Sequence, residues 1–315
     1  MSIPTTDAFV KIRLLNGGSG NAQTKLFHKD VEVDEPFRLY NWAFHIYEPQ
    51  SHRHVLWDVG QSSDKADYIP SIGKFIDALG CLGPGKSLGE QLQAHGTQPT
   101  DVDTVIFSHA HFDHCRPIVK TFPNALGHFG PGTAEECMAK LEPYNTDPKI
   151  GHKFDPRIFD PQISKEKWEE LQGPWEQFGP FDKAMDFFGN GSLWVIQAPG
   201  HMVGNLCAAA RLEGGHWVLL GSDCSHTMAL VEGKYEIAEL VRPDGTKWCP
   251  HENLGQAKET MRKIRELKQR HGFHIALAHD ATWMKAKERD PVLFSLLDEQ
   301  LLKDVDEHVL NDEPF

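Results

Sequence analysis

The chain has 315 residues, of which 40% are hydrophobic and 24% are charged, and these proportions predict a globular protein with a packed core. Its 45 acidic residues outnumber the 32 basic ones, and the resulting net charge of −13 disfavours binding to nucleic acid or to an anionic membrane surface. The length permits either two ordinary domains or one large layered domain.

Short strands are predicted in the opening third, because three stretches rich in β-branched and aromatic residues alternate with polar connections. They are AFVKIRLLNG, FRLYNWAFHIYE and HVLWDVG. Two helices are expected next, around residues 71–80 and from Ser87 to about His95, with the Gly/Pro segment LGPGK between them. A buried strand in TDVDTVIFSH follows, then a strand in NALGHFGPG and a short helix in TAEECMAKLE.

The stretch from about residue 142 to 190 departs from this pattern, because it is rich in Pro, Asp, Gly and aromatic residues. Its aromatic residues include Trp168, Trp175, Phe178, Phe181, Phe187 and Phe188. We interpret the stretch as an insertion that forms a lid or pocket wall over the functional site. The alternative is a cap that packs against its own core or against a dimer partner.

Strand-like segments resume at SLWVIQAPGH, NLCAAARLEGGHWVLLGSD and HIALAHD. Between the last two, ENLGQAKETMRKIRELKQRH predicts an amphipathic helix, because its apolar residues recur at spacings of three and four. We find no internal repeat and no flexible linker. We therefore expect one domain over residues 1–315, built from two packed sheets with helices outside.

The amino terminus, MSIPTTDAFVKIRLL, lacks the basic start and apolar run of a secretory signal. The apolar runs of the sequence are also much shorter than the roughly 20 residues that span a bilayer. We therefore expect a cytoplasmic protein. The six cysteines form no CxxC pair and are expected to be reduced.

One segment, VIFSHAHFDHC, concentrates metal-binding side chains directly after a predicted buried strand. It places His109, His111, Asp113 and His114 within six residues. Three imidazoles and a carboxylate on a tight loop cannot all face away from one another, and imidazole nitrogen suits zinc. An isolated HxH pair can arise by chance, but the full HxHxDH pattern in a chain with eighteen histidines predicts a metal site.

This segment resembles the metal-binding motif of the metallo-β-lactamase superfamily. Members of that family fold as an αββα sandwich, an α/β architecture in which two mixed β-sheets are flanked by helices and the metal site lies at one edge. Three further family landmarks follow in order: APGHMVGN contains His201, LLGSDCSH contains Asp223, and IALAHD contains His279.

The resemblance implies a centre of two metal ions, most simply two zinc ions, with iron or manganese as alternatives at either position. One ion would be held by His109, His111 and His201. The other would be held by Asp113, His114 and His279, and Asp223 would bridge the two. Asp58, in LWDVG, matches the family's early strand-end aspartate and is a candidate partner for a ligand histidine, unless it is an ordinary turn residue.

Two such cations lower the pKa of a shared water, so the resemblance implies attack of a metal-bridging hydroxide on a carbonyl carbon. Asp113 is a candidate catalytic residue because a carboxylate beside the nucleophile can pass a proton to the leaving group. The second candidate, His226, stands three residues after Asp223, where the similar quorum-quenching lactonases carry a tyrosine that touches the substrate carbonyl. The alternative for His226 is a polar loop residue.

Two main branches of the family keep the complete ligand set and are therefore the candidates for this chain. The glyoxalase II type, a thioesterase, carries basic residues in a C-terminal helical domain, whereas this chain ends in the acidic LLDEQLLKDVDEHVLNDEPF. The layout is closer to the N-acyl homoserine lactonases, so we expect a hydrolase that opens a cyclic ester or amide ring. A γ-lactam or benzoxazolinone-type cyclic carbamate is an alternative substrate, and a thioesterase or an iron-dependent persulfide dioxygenase is an alternative activity.

The expected partner is a small-molecule substrate, with no nucleic acid and no membrane. Assembly into a homodimer stays open.

Overall fold

Two six-stranded β-sheets pack against each other in the computed structural model, which describes residues 2–141, 154–242, 244–285 and 289–315. The first sheet has its strands in sequence order, antiparallel from β1 to β3 and parallel from β3 to β6. Its strands are β1 (Lys11–Gln23), β2 (Pro36–Glu48), β3 (Arg53–Trp57), β4 (Val102–Ile106), β5 (Leu126–Phe129) and β6 (Trp168–Glu170).

The second sheet is formed by the later strands of the chain. It begins with β7 (Glu176–Phe178), β8 (Phe181–Asp186), β9 (Leu193–Gln197), β10 (Leu206–Arg211) and β11 (Trp217–Ser222), which pair in that order as antiparallel neighbours. A two-stranded ribbon follows, made of β12 (Leu240–Val241) and β13 (Lys247–Trp248). The final strand, β14 (His274–Leu277), pairs parallel with β11 at the edge of the sheet.

The helices connect these strands and supply the outer layers. They are α1 (Thr24–Phe27), α2 (Pro70–Ala78), α3 (Leu88–Gln93), α4 (Thr133–Ala139), α5 (Pro156–Phe159), α6 (Met228–Val231), α7 (Leu254–His271), α8 (Pro291–Phe294) and α9 (Glu299–Glu307). Over the described ranges, none of them combines the length and the apolar character that a membrane span requires.

Both faces of each sheet are covered, which explains the nearly continuous apolar runs of the central strands. In β3, Val55 and Trp57 face the core between the sheets, whereas Leu56 faces the outer cluster that includes α3. In β10, Ala208 faces the same inter-sheet core, and Cys207 faces the outer cluster that includes α7. The predicted αββα sandwich of two mixed sheets flanked by helices is therefore confirmed.

Helix α7 matches the predicted amphipathic helix. The Asn253 side chain caps its start by accepting a hydrogen bond from the Gln256 backbone N–H, and Gly272 ends it with a left-handed φ of 69°. Its buried face includes Ile264 and Leu267, which pack against the second sheet, and Met261, which packs in a separate cluster with Phe27 and Leu230.

The aromatic stretch is largely part of the sandwich. Residues 142–153 lie outside the described residues, and the remainder forms α5 and strands β6 to β8. Phe178 and Phe181 are buried in the cluster beneath α7, and Trp168 packs edge-on against Phe129. Trp175, Phe187 and Phe188 pack against the inter-sheet core. These six aromatic side chains therefore correspond to the alternative of packing against the protein's own core, and the lid interpretation does not apply to them.

A close backbone contact joins the loop after β5 to the loop that contains His201. A Cβ atom added at Gly130 would lie 1.9 Å from the Gly204 carbonyl oxygen. We expect Gly130→Ala to lower the free energy of unfolding by about 2–3 kcal/mol, because backbone atoms must shift. Gly73→Ala is the matched control, since a Cβ in α2 would meet nothing within 4 Å and should raise stability by up to about 1 kcal/mol. Urea denaturation of both variants measures this, and equal stability of the two would contradict the contact.

Candidate metal centre

The seven predicted ligand residues all follow strands that end at the same edge of the sandwich. His109, His111, Asp113 and His114 lie in the loop after β4. His201, Asp223 and His279 follow β9, β11 and β14, three strands of the second sheet that run in the same direction. The sheet topology thus brings together residues that are up to 170 positions apart in the sequence.

The first group contains His109, His111, His201 and Asp223, whose donor atoms lie within 4.8 Å of one another. The His111 Nδ1 atom is 3.0 Å from His109 Nε2 and 2.9 Å from His201 Nε2. The Asp223 Oδ2 atom is 3.4 Å from His201 Nε2 and 3.8 Å from His109 Nε2. Three imidazole nitrogens and one carboxylate oxygen therefore converge on one point.

The second group contains Asp113, His114 and His279. The two histidine Nε2 atoms are 3.4 Å apart, and Asp113 Oδ2 is 3.5 Å from that of His279. The Asp223 Oδ1 atom is 3.0 Å from His279 Nε2 and 3.3 Å from His114 Nε2. Each oxygen of Asp223 thus faces a different group, which is the arrangement expected of a bridging carboxylate.

These distances fit divalent cations. Ligand atoms bound at 2.0–2.1 Å to a tetrahedral zinc ion are about 3.4 Å from one another. Neighbouring donor atoms within the two groups are separated by 2.9 to 3.8 Å, and they are imidazole nitrogens and carboxylate oxygens. The side chains accordingly fit two metal ions that share Asp223.

The Asp58 carboxylate is hydrogen-bonded to the loop after β4, which carries four of the ligand residues. This fully buried group accepts hydrogen bonds from the Ser108 backbone N–H at 2.7 Å and from the Ser108 and Ser222 hydroxyls at 2.8 and 3.2 Å. It also accepts from His114 Nδ1 at 2.9 Å, which directs His114 Nε2 towards the centre. The prediction that Asp58 is the partner of a histidine in this set is confirmed.

Two further histidines of the set are oriented by neighbouring oxygens. His279 Nδ1 lies 2.6 Å from the Tyr40 carbonyl oxygen, and His109 Nδ1 lies 3.0 Å from the Ser108 hydroxyl. Each of these rings therefore presents Nε2 to the centre. The orientation of three ligand rings is thus fixed by partners outside the two groups.

The charges of the centre reinforce its suitability for cations. Burial lowers the pKa of His109 and of His201 well below the usual value, and the neighbouring histidines lower it further. Burial opposes ionisation of Asp223, but His279 and His114 outweigh it and hold the pKa of this carboxyl well below its usual range. For His114, burial is outweighed by Asp223, Asp113 and Asp58, which raise its pKa. An ionised Asp223 beside neutral His109 and His201 is the protonation state that metal binding requires, whereas His114 would release its proton when a cation binds.

His226 also lies at the centre. Its Nε2 atom is 3.3 Å from Asp223 Oδ2, and its ring stacks parallel to that of His279 with centroids 5.8 Å apart. The other predicted catalytic residue, Asp113, belongs to the second ligand group, and its backbone carbonyl accepts a hydrogen bond from the Asn41 side chain. Both predicted catalytic side chains therefore lie at the centre.

The sequence did not indicate His251, which belongs to the loop before α7. The ring is 98% buried, and its centroid is 5.3 Å from the centroids of His201 and His226. Burial and the neighbouring His226 lower its pKa to about 3. A single histidine in WCPHEN has no characteristic spacing, so only the folded structure reveals it. Among the described residues of the 142–190 stretch, Phe154 lies beside the centre, with its ring parallel to that of His111 and the two centroids 6.4 Å apart.

Known proteins resemble this chain in sequence. A family model described as the metallo-beta-lactamase superfamily matches residues 45–182. The metallo-hydrolase mfmC of Annulohypoxylon moriforme is 31% identical, over 89% of this chain and 81% of that protein. The N-acyl homoserine lactonase AttM of Rhizobium johnstonii is 27% identical, over 82% and 87%. The gamma-lactamase MBL2 of Gibberella moniliformis is 29% identical, over 55% and 70%.

Another relative is much longer. The chain aligns with only 35% of the cytochrome P450 monooxygenase mpaDE' of Penicillium brevicompactum, at 29% identity over 90% of this chain. Among solved structures, a quorum-quenching N-acyl homoserine lactone lactonase superposes with a TM-score of 0.64, covering 90% of this chain and 97% of that one. At 15% identity, this similarity shows a shared fold.

Proposed function

The chain belongs to the metallo-β-lactamase superfamily, and on that premise we propose that it is a dinuclear metal-dependent hydrolase that opens a cyclic ester or amide ring. The observation that carries the proposal is the position of Asp223, whose two carboxylate oxygens face two separate groups of imidazole and carboxylate ligands. The relatives named as a lactonase and a gamma-lactamase support ring opening.

We propose that both metal ions are zinc, held by the seven residues at which the family motif is filled. Imidazole-rich sets with carboxylate oxygens suit zinc, although iron or manganese would also accept these ligands. Two bound divalent cations would supply an activated water at neutral pH and polarise the substrate carbonyl.

The side chains of the protein would supply positioning and proton transfer. The Asp113 carboxylate, which is partly exposed beside His279, would accept the proton of the attacking water and pass it to the leaving oxygen or nitrogen of the ring. His226 would donate a hydrogen bond from Nε2 to the carbonyl oxygen as negative charge develops on it. Imidazole in place of a phenol changes the hydrogen-bond donor at this position, which argues for a substrate other than a simple acyl-homoserine lactone.

We further propose that residues 1–315 form one domain with an insertion near 142–190. The protein would act on a small molecule in the cytoplasm and would assemble into a homodimer. A γ-lactam or benzoxazolinone-type ring is the nearest alternative substrate, and a glyoxalase II-like thioester is the next.

A substrate panel tests the activity. Zinc-loaded protein should open at least one ring among an acyl-homoserine lactone, a γ-lactam and a benzoxazolinone, faster than an acyclic thioester. A chelator should abolish the activity and added zinc should restore it, because the ligand groups would lose and regain their ions. Turnover of the thioester alone would replace ring opening with the thioesterase alternative. Turnover that survives complete metal removal would exclude a metal-dependent hydrolase.

A further inference from the structure

The ring of His226 is held in a different way from the rings of His114 and His279. Those two ligand residues have hydrogen-bond partners at Nδ1, whereas His226 Nδ1 has none among the described residues. Other rings lie against it instead: the Phe27 centroid is 4.6 Å away, and the parallel His279 ring is 5.8 Å away. The orientation of His226 therefore depends on ring packing and on the backbone that carries it.

Asp280 joins that backbone to the loop of His279. This buried aspartate directly follows His279, and its Oδ2 atom accepts a hydrogen bond of 2.8 Å from the Met228 backbone N–H. Met228 begins α6 and stands two residues after His226. The hydrogen bond thus connects the two loops that carry the parallel imidazole rings.

The remaining contacts of Asp280 attach it to the core of the sandwich. Its Oδ1 atom accepts hydrogen bonds from the Thr282 hydroxyl and from the Thr282 N–H, the latter at 2.9 Å. Its backbone carbonyl accepts from Trp42 Nε1 at 3.2 Å, and the Trp42 N–H donates to the Ala278 carbonyl at 2.9 Å. Trp42 is buried between the two sheets. Asp280 is therefore a fixed point to which the start of α6 is attached.

We propose that Asp280 is a positioning residue that holds the His226 ring beside the second ligand group through its hydrogen bond to Met228. The inference rests on the proposed function, which assigns His226 to the substrate carbonyl. A donor stabilises a developing oxyanion only if it is held in advance at about 2.7–3.1 Å from that oxygen. Because His279 and Asp280 are consecutive, one short segment would place both a metal ligand and the donor to the carbonyl.

Met228→Pro tests this hydrogen bond without altering the carboxylate. Proline has no N–H, and its ring carbon would occupy the place of the missing hydrogen. Proline is favoured at the first position of a helix, and the preceding Thr227 already has the extended backbone that proline requires, with φ −145° and ψ 149°. Met228→Ala is the matched control, because it also removes the buried methionine side chain but keeps the N–H.

The first readout is the His226 ring, observed in zinc-loaded full-length protein with ¹⁵N-labelled histidine side chains. Its signal is assigned by its loss in His226→Phe. We expect one signal in the unaltered protein and in Met228→Ala, and a broadened or divided signal in Met228→Pro, whose ring would take several positions. A single, unshifted signal in Met228→Pro would overturn the proposal. This readout needs no turnover, so a failed substrate panel leaves it intact.

Turnover distinguishes positioning of His226 from general support of the fold. Relative to Met228→Ala, Met228→Pro should retain its zinc and lower kcat by about 10–100-fold, the scale of a small misplacement of a reacting group. In a His226→Phe background, the same change should lower kcat by less than about twofold, because the positioned ring is already absent. Equal losses in the two backgrounds would overturn the proposal. Loss of a zinc equivalent in Met228→Pro alone would also overturn it, since the bond would then serve His279.

Asp280→Asn tests the acceptor. The amide keeps one oxygen, but its NH₂ group would face an N–H donor of either Met228 or Thr282, so at least one hydrogen bond is lost. Asp244→Asn is the control, because this exposed aspartate accepts from the N–H and hydroxyl of Thr246 in the same Asp-x-Thr arrangement, in the turn between β12 and β13. We expect a divided His226 signal in Asp280→Asn and a single one in Asp244→Asn. The same single signal in both variants would refute the role of Asp280.

Discussion

Asp223→Asn is expected to reduce turnover of the ring substrate by about a thousandfold, the scale of losing a group that stabilises charge in a transition state. The carboxylate places one oxygen 3.0 Å from His279 Nε2 and the other 3.4 Å from His201 Nε2. An asparagine offers one oxygen and one NH₂ group, and the NH₂ group cannot bind a cation. One of the two ligand groups therefore loses an anionic ligand.

Metal analysis of the purified variant separates this explanation from misfolding. We expect close to two zinc equivalents in the unaltered protein and one or fewer in Asp223→Asn. Asp103→Asn is the matched control, because that aspartate pairs with Arg53 on the surface and should leave metal content and turnover unchanged. Two retained equivalents with full turnover in Asp223→Asn would refute the bridging role.

Asp58→Asn should have the second-largest effect, through orientation of the ligands. The carboxylate is fully buried and accepts four hydrogen bonds, which an amide cannot reproduce because its NH₂ group would face other donors. We expect zinc affinity to fall about 10–100-fold and turnover to fall with it. The free energy of unfolding should decrease by about 3 kcal/mol, because buried donors are left unpaired.

A second aspartate–histidine contact provides the control for that experiment. Asp290 lies 2.7 Å from His274 Nδ1 and caps α8, outside the ligand groups. Asp290→Asn should therefore lower stability without changing zinc affinity. If Asp58→Asn behaved in the same way, the role of Asp58 would be confined to folding. Denaturation curves and chelator competition on both variants decide between the two.

The sequence predicted the parts of the fold that have strong local patterns. Strands β3, β4, β9, β10, β11 and β14 could be recognised in the sequence as apolar runs. The site could also be recognised, because its ligand residues lie just after such runs. The spacing of Met261 and Ile264 likewise predicted α7. Such features follow from local periodicity, which can be recognised in the sequence without knowledge of the tertiary neighbours.

Other elements depended on contacts that no local pattern records. Strands β6 and β7 have three residues each and lie in a Gly/Pro-rich stretch, so their aromatic residues suggested a lid. Helix α9 was hidden in an acidic tail, although its Leu301 and Val305 enter the inter-sheet core. His251 joins the centre only because its loop is hydrogen-bonded to the loop of His201.

The wide sequence separation of the ligand residues has a consequence for how the protein is maintained in a cell. His114 and His279, whose Nε2 atoms lie 3.4 Å apart, come together only after both sheets have formed and packed, so an unfolded chain offers no comparable site. A cation that binds only the native form shifts the folding equilibrium by mass action, adding about 2.7 kcal/mol when its free concentration is a hundred times its dissociation constant. Metal supply would therefore govern abundance as well as activity, because chains starved of metal would spend more time unfolded and exposed to proteolysis.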